Sequence, residues 1–174
     1  MVTQRIDKNA TIYNYTLVKK IRHRPEVMWL HLLTMVAIWA IGVSGAGFRT
    51  VWTSALGFVA LQVVYAAVML ADATFLQERS REWTLTLRFP WFGLTPKAAV
   101  PLQVVKRVHA EFAAAGFVFA GALYPWLPLR SFAVLIILHV LCLVPQTVVI
   151  VRMARVREDG LIKLGERETS LYTY

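Results

Sequence analysis

The residues most able to do chemistry in this 174-residue chain are a few polar side chains within or beside long apolar stretches. A polar group in such a stretch costs free energy to insert, so each one needs a reason to be there. Three of them, His31, Asp72 and His109, are of the types that hold zinc or a similar divalent ion. The other polar positions inside the stretches are Gln62, Tyr65, His139 and Gln146.

A metal site is the first chemistry to consider. His31 lies one turn inside the first apolar stretch, Asp72 closes the second, and His109 opens the third. If these three ends lie on one side of a membrane, the three side chains reach a common depth and could hold an ion. The alternative is that they are interfacial residues in contact with water and headgroups. Glu111 is a poor fourth ligand, because two residues along a helix from His109 it points about 200° away.

Haem b is the second chemistry, since membrane cytochromes hold haem between histidines on facing helices. His139 lies roughly 12 Å from one membrane surface and His31 roughly 6 Å from the other, at 1.5 Å per residue. Only His31 and His109 match in depth. We expect His139 instead to hydrogen-bond to a neighbouring helix, at Gln62 or Tyr65. The sequence therefore predicts no cofactor, with zinc and haem b as the alternatives.

Four apolar stretches position these residues. Each has about 18–21 residues, enough for a helix to cross a hydrocarbon core of about 30 Å. With 57% hydrophobic and only 17% charged residues, the composition excludes an ordinary soluble globule and a disordered chain. The predicted fold class is an all-α membrane protein with four transmembrane helices in two hairpins. The helices are expected at about 27–46, 51–71, 112–129 and 131–151.

The orientation follows from the Lys and Arg residues outside these stretches, which divide 17 to 2. The two are Arg49 and Arg130, in the short turns within each hairpin. Because cytoplasmic segments carry the excess of Lys and Arg, both termini and the connection 72–111 are predicted to be cytoplasmic. The expected location is the inner (plasma) membrane. The basic runs 19–24 and 152–157 flank these stretches, and contact with anionic headgroups explains them better than nucleic acid does.

The predicted domains are a cytoplasmic segment 1–26, a transmembrane domain 27–151 and a cytoplasmic tail 152–174. Two stretches outside the membrane helices, 10–18 and 82–89, are rich in β-forming residues. We expect them to pair in a small cytoplasmic sheet, because a lone strand leaves its backbone groups unpaired.

The segment between that second strand and the third helix is predicted to hold two further features. Pro90–Pro96 is interpreted as a turn. Pro101–Glu111 is expected to begin the third helix before its apolar part, along the membrane surface.

Two helices carry residues that shape their packing. Pro145 predicts a kink in the fourth helix and a carbonyl without its helical partner. A face of small residues on the third helix suits close packing. These residues are Ala113, Gly116, Ala120 and Gly121.

The order of elements resembles a family of zincin-like integral membrane metallopeptidases of Gram-positive bacteria. The resemblance covers nearly the whole chain, up to the acidic, tyrosine-containing tail 165–174. In that family the second helix carries a His-x-x-x-His pair for zinc. Here Leu61–Met69 reads LQVVYAAVM, and the family's Asp in the last helix is replaced by Pro145-Gln-Thr147. The resemblance therefore implies a member without catalytic residues.

The predicted function is that of a non-catalytic integral membrane protein, an accessory or partner-binding subunit. It would pack against a membrane-protein partner or a second copy through its small-residue faces. The alternatives are a metallo-hydrolase with a metal site at His31, Asp72 and His109, and a haem b-binding membrane anchor.

Overall fold

The computed structural model describes residues 16–75, 83–86, 90–91, 93–96, 98–165 and 167–173. This part of the chain is mostly helical and carries a small antiparallel sheet. Its helices are α1 (Pro25–Val43), α2 (Phe48–Phe75), α3 (Leu102–Leu123) and α4 (Leu129–Ala154). Its strands are β1 (Thr16–Arg22), β2 (Trp83–Thr86), β3 (Gly93–Pro96), β4 (Val100–Pro101), β5 (Leu161–Leu164) and β6 (Glu168–Thr173).

Three of these helices are long and apolar enough to cross a membrane, namely α1, α2 over Phe48–Val68, and α4. Helix α3 is not among them, because its first turns carry charged side chains, including Arg107 and Glu111. It begins at Leu102, as the sequence predicts, and a short 3-10 helix replaces it after Leu123. The predicted third stretch, 112–129, is therefore α-helical only in its first part.

Helix α4 lies at the centre of the bundle and packs against the other three helices. Helix α1 lies at the edge, and Met35 is its only buried residue. Gly42 of α1 lies against Val134 of α4 so closely that a Cβ at Gly42 would clash with it. Two antiparallel helices can approach this closely only where one presents a glycine.

Hydroxyl groups join the helices at the end of the bundle near the two short turns. Trp39 Nε1 donates to Ser54 Oγ at 3.1 Å, which links α1 to α2. Thr53 and Ser131 hydroxyls lie 2.7 Å apart and link α2 to α4. The Arg130 guanidinium donates to the carbonyl of Ser44 at 3.1 Å. The first two bonds satisfy the buried hydroxyl groups of Ser54 and Ser131.

At the opposite end, which we call the sheet end, four strands form an antiparallel sheet in the order β1-β6-β5-β4. Thr16 pairs with Thr173 and Arg22 with Glu168, so the N-terminal strand lies along the last strand. The sheet packs on the ends of α3 and α4 through one apolar cluster. Its members are Trp91, Leu102, Val105, Val149, Ile150, Met153, Ile162 and Leu171.

The predicted pairing of 10–18 with 82–89 is wrong where the structure describes those residues. Strand β1 pairs with β6, and β2 pairs with β3. Residues 10–15 and 87–89 lie outside the described residues. Strands β2 and β3 follow each other closely, so pairing them closes only a short loop and costs little entropy. The predicted turn Pro90–Pro96 is correspondingly shorter, because Gly93–Pro96 is β3.

The sheet also joins segments that the sequence analysis treated as separate. The predicted segment 1–26 contributes β1, and the predicted tail 152–174 contributes β5 and β6. The predicted connection 72–111 contributes β4 and begins α3 at Leu102.

A small polar network fixes the sheet to the connection between α2 and α3. Trp91 Nε1 donates to the buried hydroxyl oxygen of Thr169 at 2.8 Å. The Thr169 hydroxyl lies 2.9 Å from His23 Nε2. Because Trp91 can only donate, the Thr169 oxygen accepts from it and keeps one proton and one lone pair for the contact with His23.

The charges around this network set its response to pH. Burial lowers the pKa of His23 below its ordinary value, and the Glu168 carboxylate opposes that shift. Lys20 Nζ lies 2.7 Å from Glu168 Oε2, and this contact lowers the pKa of the Glu168 carboxyl.

We predict that the protein loses thermal stability as the pH falls through about 6.5, the ordinary pKa of histidine. Below that pH the unfolded chain binds a proton that folded His23 resists, so the unfolded state is favoured. His23→Gln, whose side-chain oxygen can still accept from Thr169, should flatten this loss in melting curves of detergent-solubilised protein. The Glu168 contribution is present above its ordinary pKa and disappears only at more acidic pH. An unchanged pH profile in His23→Gln would contradict the assignment.

Candidate functional site: histidines that join the helices

His139 lies at the centre of the bundle and is completely buried on α4. The Tyr65 hydroxyl of α2 donates to His139 Nδ1. His139 Nε2 donates to the carbonyl oxygen of Ala113 on α3 at 3.2 Å. This carbonyl can only accept, so Nε2 carries a proton, and in the neutral ring Nδ1 is then the acceptor for Tyr65. One histidine therefore joins α2, α3 and α4.

The space for this ring depends on a glycine of α3. A Cβ at Gly116 would lie 2.6 Å from His139 Nδ1 and 2.7 Å from Nε2. The Phe117 ring meets the His139 ring edge-on, with centroids 4.7 Å apart. The Tyr65 ring also packs on Phe112, with centroids 5.3 Å apart. Aromatic rings and a glycine together leave no room for the imidazole to turn away.

The predicted small-residue face of α3 is thus used inside the molecule. Gly116 lies on His139, and Ala120 is buried in a cluster with Leu61 and Leu135. Gly121 is exposed, and nothing lies within 4 Å of the position of its Cβ. This face holds α3 against α2 and α4, so most of it is not a surface for a partner.

His31 takes up the carbonyl that the proline of α4 leaves without a helical partner. Pro145 has no N–H, so it cannot bond to the carbonyl of Leu141 one turn earlier. His31 Nε2 donates to that oxygen from α1, at 3.0 Å. The contact fixes the peripheral helix α1 to the point within α4 where Pro145 leaves a backbone acceptor open.

His109 makes the corresponding contact from α3, on the other side of the proline. Its Nε2 lies 2.8 Å from the Thr147 hydroxyl, and its Nδ1 lies 3.2 Å from Gln146 Oε1. Thr147 also donates to the carbonyl of Leu143 at 2.9 Å. Both ring nitrogens of His109 are therefore engaged, and Pro145 lies between two histidine contacts.

These contacts bear on the predicted metal site at His31, Asp72 and His109. His31 bonds to α4 at Leu141, whereas His109 bonds at positions 146 and 147, which places the contacts roughly 7–9 Å apart along the helix. The side chain of Asp72 lies outside the described residues. Among the residues that are described, no three His, Cys, Asp or Glu side chains form a metal-binding group. A metal on His109 would have to displace Gln146 or Thr147.

A haem at His31 and His109 would meet the same competition, since each ring already bonds to α4. His139 uses both ring nitrogens within the bundle. Its partner is Tyr65, one of the two residues that the sequence suggested. Glu111 lies 3.3 Å from Arg107 on the same helix.

Gln62 differs from the other predicted polar positions, Tyr65, His139 and Gln146, which form hydrogen bonds between helices. Its side-chain nitrogen is buried and has no hydrogen-bond partner among the described residues. Gln62 lies one turn from Tyr65 on α2 but does not join the Tyr65–His139 contact. An unpaired buried amide costs roughly 1–3 kcal/mol, so Gln62 weakens the bundle at this point.

Sequence reasoning missed three hydrogen-bond partners of these histidines, because such groups occur throughout any helix. They are the carbonyls of Leu141 and Ala113 and the hydroxyl of Thr147. The Leu141 carbonyl was the one that could be found, since it lies four residues before Pro145 and must lack its helical donor. His23 and Thr169 gave no signal, because the β1–β6 pairing that brings them together was not predicted.

Comparison with known proteins gives no assignment, because no family model, curated protein or solved structure matches this chain. The likeness to zincin-like membrane peptidases therefore stays a prediction from the order of elements.

We predict that Gly116→Ala lowers the free energy of unfolding by about 1–3 kcal/mol, because the new methyl group overlaps the confined ring of His139. Gly121→Ala is the matched control, with the same chemical change on the same helix and open space around it. It should be neutral or stabilising by up to about 1 kcal/mol, since alanine favours helix. Equal melting temperatures of the two variants in detergent would contradict the packing described.

A second prediction concerns His31 and Pro145 together. His31→Ala should destabilise the protein by about 0.5–1.5 kcal/mol, because the Leu141 carbonyl loses its donor. In a Pro145→Ala background the backbone N–H of residue 145 can bond to that carbonyl, so the same change should cost much less. A double-mutant cycle of melting temperatures measures the difference. Additive effects would mean that His31 and Pro145 act independently.

Proposed function

We propose that this chain is a four-pass integral membrane protein with both termini and its central connection in the cytoplasm. We infer that it acts as a non-catalytic accessory or partner-binding subunit, in contact with a membrane-protein partner or a second copy. The observation that carries the proposal is the sheet, which gathers both ends of the chain and the start of α3 at one end of the bundle.

The connections between sheet and helices support four passes. Strand β1 leads into α1, and β4 leads directly into α3. Strand β5 follows α4 and pairs with β4, with Ile162 opposite Val100. If α1, α2 and α4 crossed a membrane and α3 did not, β4 and β5 would lie on opposite sides. Their pairing therefore favours a crossing by α3 as well.

The charges support the assignment of the sheet end to the cytoplasm. The two cations in the short turns, Arg49 and Arg130, belong to the opposite end, and the other 17 lie outside those turns. The positive-inside bias favours the cytoplasm for the end that carries the excess.

The role as a subunit is supported by how the polar side chains of the bundle are used. His31, His109 and His139 all take part in contacts between helices. The apolar surface that remains for a partner is largest on α1, where only Met35 is buried. Its exposed side chains, which meet lipid or a partner helix, include Val27, Trp29, Leu30, Leu33, Val36 and Ile41.

Single-cysteine variants test the proposal. In a Cys142→Ser background, Arg49→Cys and Arg130→Cys should react with a membrane-impermeant maleimide in intact cells. Lys163→Cys, on β5, should react only after the membrane is permeabilised. Labelling of Lys163→Cys in intact cells would contradict the topology.

The same background tests the subunit role by cross-linking within the membrane. Leu33→Cys on exposed α1 should cross-link to a second copy or to one other polypeptide, whereas Val59→Cys on exposed α2 serves as the control. A defined cross-linked product at Leu33 alone is expected. Equal, diffuse products at both positions would show that α1 meets only lipid and would refute the subunit role.

A further inference from the structure

Two basic runs that are far apart in the sequence lie side by side at the sheet end. The first is KKIRHR at residues 19–24, and the second is RMARVR at residues 152–157. Lys19 Nζ donates to the backbone carbonyl of Arg152 at 3.0 Å, which joins the two runs directly. We call these residues the paired basic runs.

The packing of α1 on α4 explains why the runs meet. Going toward the sheet end, Gly42 lies on Val134, His31 bonds to Leu141, and Lys19 bonds to Arg152. The contacts advance in opposite directions along the two segments, so α1 and α4 run antiparallel. Ile21 packs against the cluster that includes Val149, Ile150 and Met153, so the end of β1 lies beside the last turns of α4.

These cations have few acidic neighbours. Lys20 pairs with Glu168, and on α3 Lys106 pairs with Glu158 at 3.0 Å. Within the described part of the chain, no ion pair joins an acid to Arg24, Arg152, Arg155 or Arg157. The acids next to the runs in sequence are Glu26, in the first turn of α1, and Glu158 and Asp159, which contact Lys106 and Gln103 of α3. Like charges packed this closely repel each other unless an anion lies among them.

An apolar surface begins directly above the paired basic runs. On α1 the exposed residues after Arg24 include Val27, Trp29 and Leu30. On α4 the exposed residues before Arg152 include Val148 and Val151. The change from exposed cations to exposed apolar side chains thus occurs at one level on both helices. A tryptophan at such a boundary is typical of a membrane interface.

We propose that the paired basic runs bind the headgroup of an anionic phospholipid that carries two phosphates, with its acyl chains lying along α1 and α4. The proposal rests on the proposed topology, because it needs the sheet ends of α1 and α4 to lie at a membrane interface. Arginine forks match phosphate oxygens in pairs. Packed helices lie about 8–10 Å apart, so cations on two helices suit two phosphates better than one.

Lys19 favours anion binding at this surface through its contact with the end of α4. Its bond to the Arg152 carbonyl places a cation at the C-terminus of α4, where the helix dipole is negative. Without that cation the dipole would disfavour an anion beside the Arg155 and Arg157 side chains.

The experiment measures which lipids the purified protein retains, by native mass spectrometry after transfer from mixed micelles. The micelles contain phosphatidylcholine with either cardiolipin, which has two phosphates, or phosphatidylglycerol, which has one, at matched total negative charge. Arg24→Gln with Arg155→Gln removes one cation from each run. At about 1 kcal/mol per cation, this should weaken cardiolipin retention roughly thirtyfold.

Two further variants serve as controls. Arg49→Gln with Arg130→Gln removes the same charge from the opposite end of the bundle and should change retention only slightly. Arg24→Lys with Arg155→Lys keeps the charge and should keep most of the binding, which excludes misfolding as the cause of a loss. Inorganic phosphate is added as a competitor, to test whether phosphate groups without acyl chains are enough for binding.

The proposal is overturned if both double glutamine variants lose retention equally, since attraction would then depend only on net charge. It is also overturned if phosphatidylglycerol binds as well as cardiolipin, or if inorganic phosphate displaces the lipid at comparable concentration. Maleimide labelling of the same variants separates this result from the topology. If the unmutated protein does not prefer cardiolipin to phosphatidylglycerol and the labelling pattern is as proposed, only the lipid surface is refuted. A reversed labelling pattern refutes the proposed function.

Discussion

The hydrogen bonds between β1 and β6 bring the first and last described strands to the same end of the helical bundle. Once Thr16 lies opposite Thr173, α1 must start where α4 ends, and the two helices must run antiparallel. The central connection is brought to the same end by β4, which pairs with β5. The proposed four passes, the position of α1 at the edge and the meeting of the basic runs all depend on this pairing.

Within the bundle, α4 is the central helix and contacts the other three. It forms hydrogen bonds with His31 of α1, Tyr65 of α2 and His109 of α3. Where lipid replaces water, a buried polar group must find its partner inside the protein. Pro145 leaves the Leu141 carbonyl of α4 without its helical donor, and His31 of α1 bonds to it. His31 and His109, which looked like metal ligands in the sequence, thus take part in contacts between helices.

The helices could be predicted from the sequence because long apolar stretches are a strong local signal. The strands could not be paired correctly, because the partner of β1 lies at the other end of the chain and leaves no mark near Thr16. The depth of His31 and His109 was accessible by counting residues, but their partners were not. Which face of α4 each side chain meets depends on helix rotation, and an almost uniformly apolar helix carries little periodicity to fix it. The tail was predicted only as acidic, although LIKL and TSLYT around a short turn are typical of a β-hairpin.

The distance along the chain between β1 and β6 also has a consequence in time. A ribosome adds roughly 5–20 residues per second, so β1 waits about 8–30 s after its synthesis before β6 exists. During that interval α1 is already made, while the strand before it has an unpaired edge. Charged side chains disfavour the pairing of such an edge with other chains. Lys19, Lys20 and Arg22 place three cations on this strand. Its basic sequence thus disfavours pairing with other chains before the last strand is made.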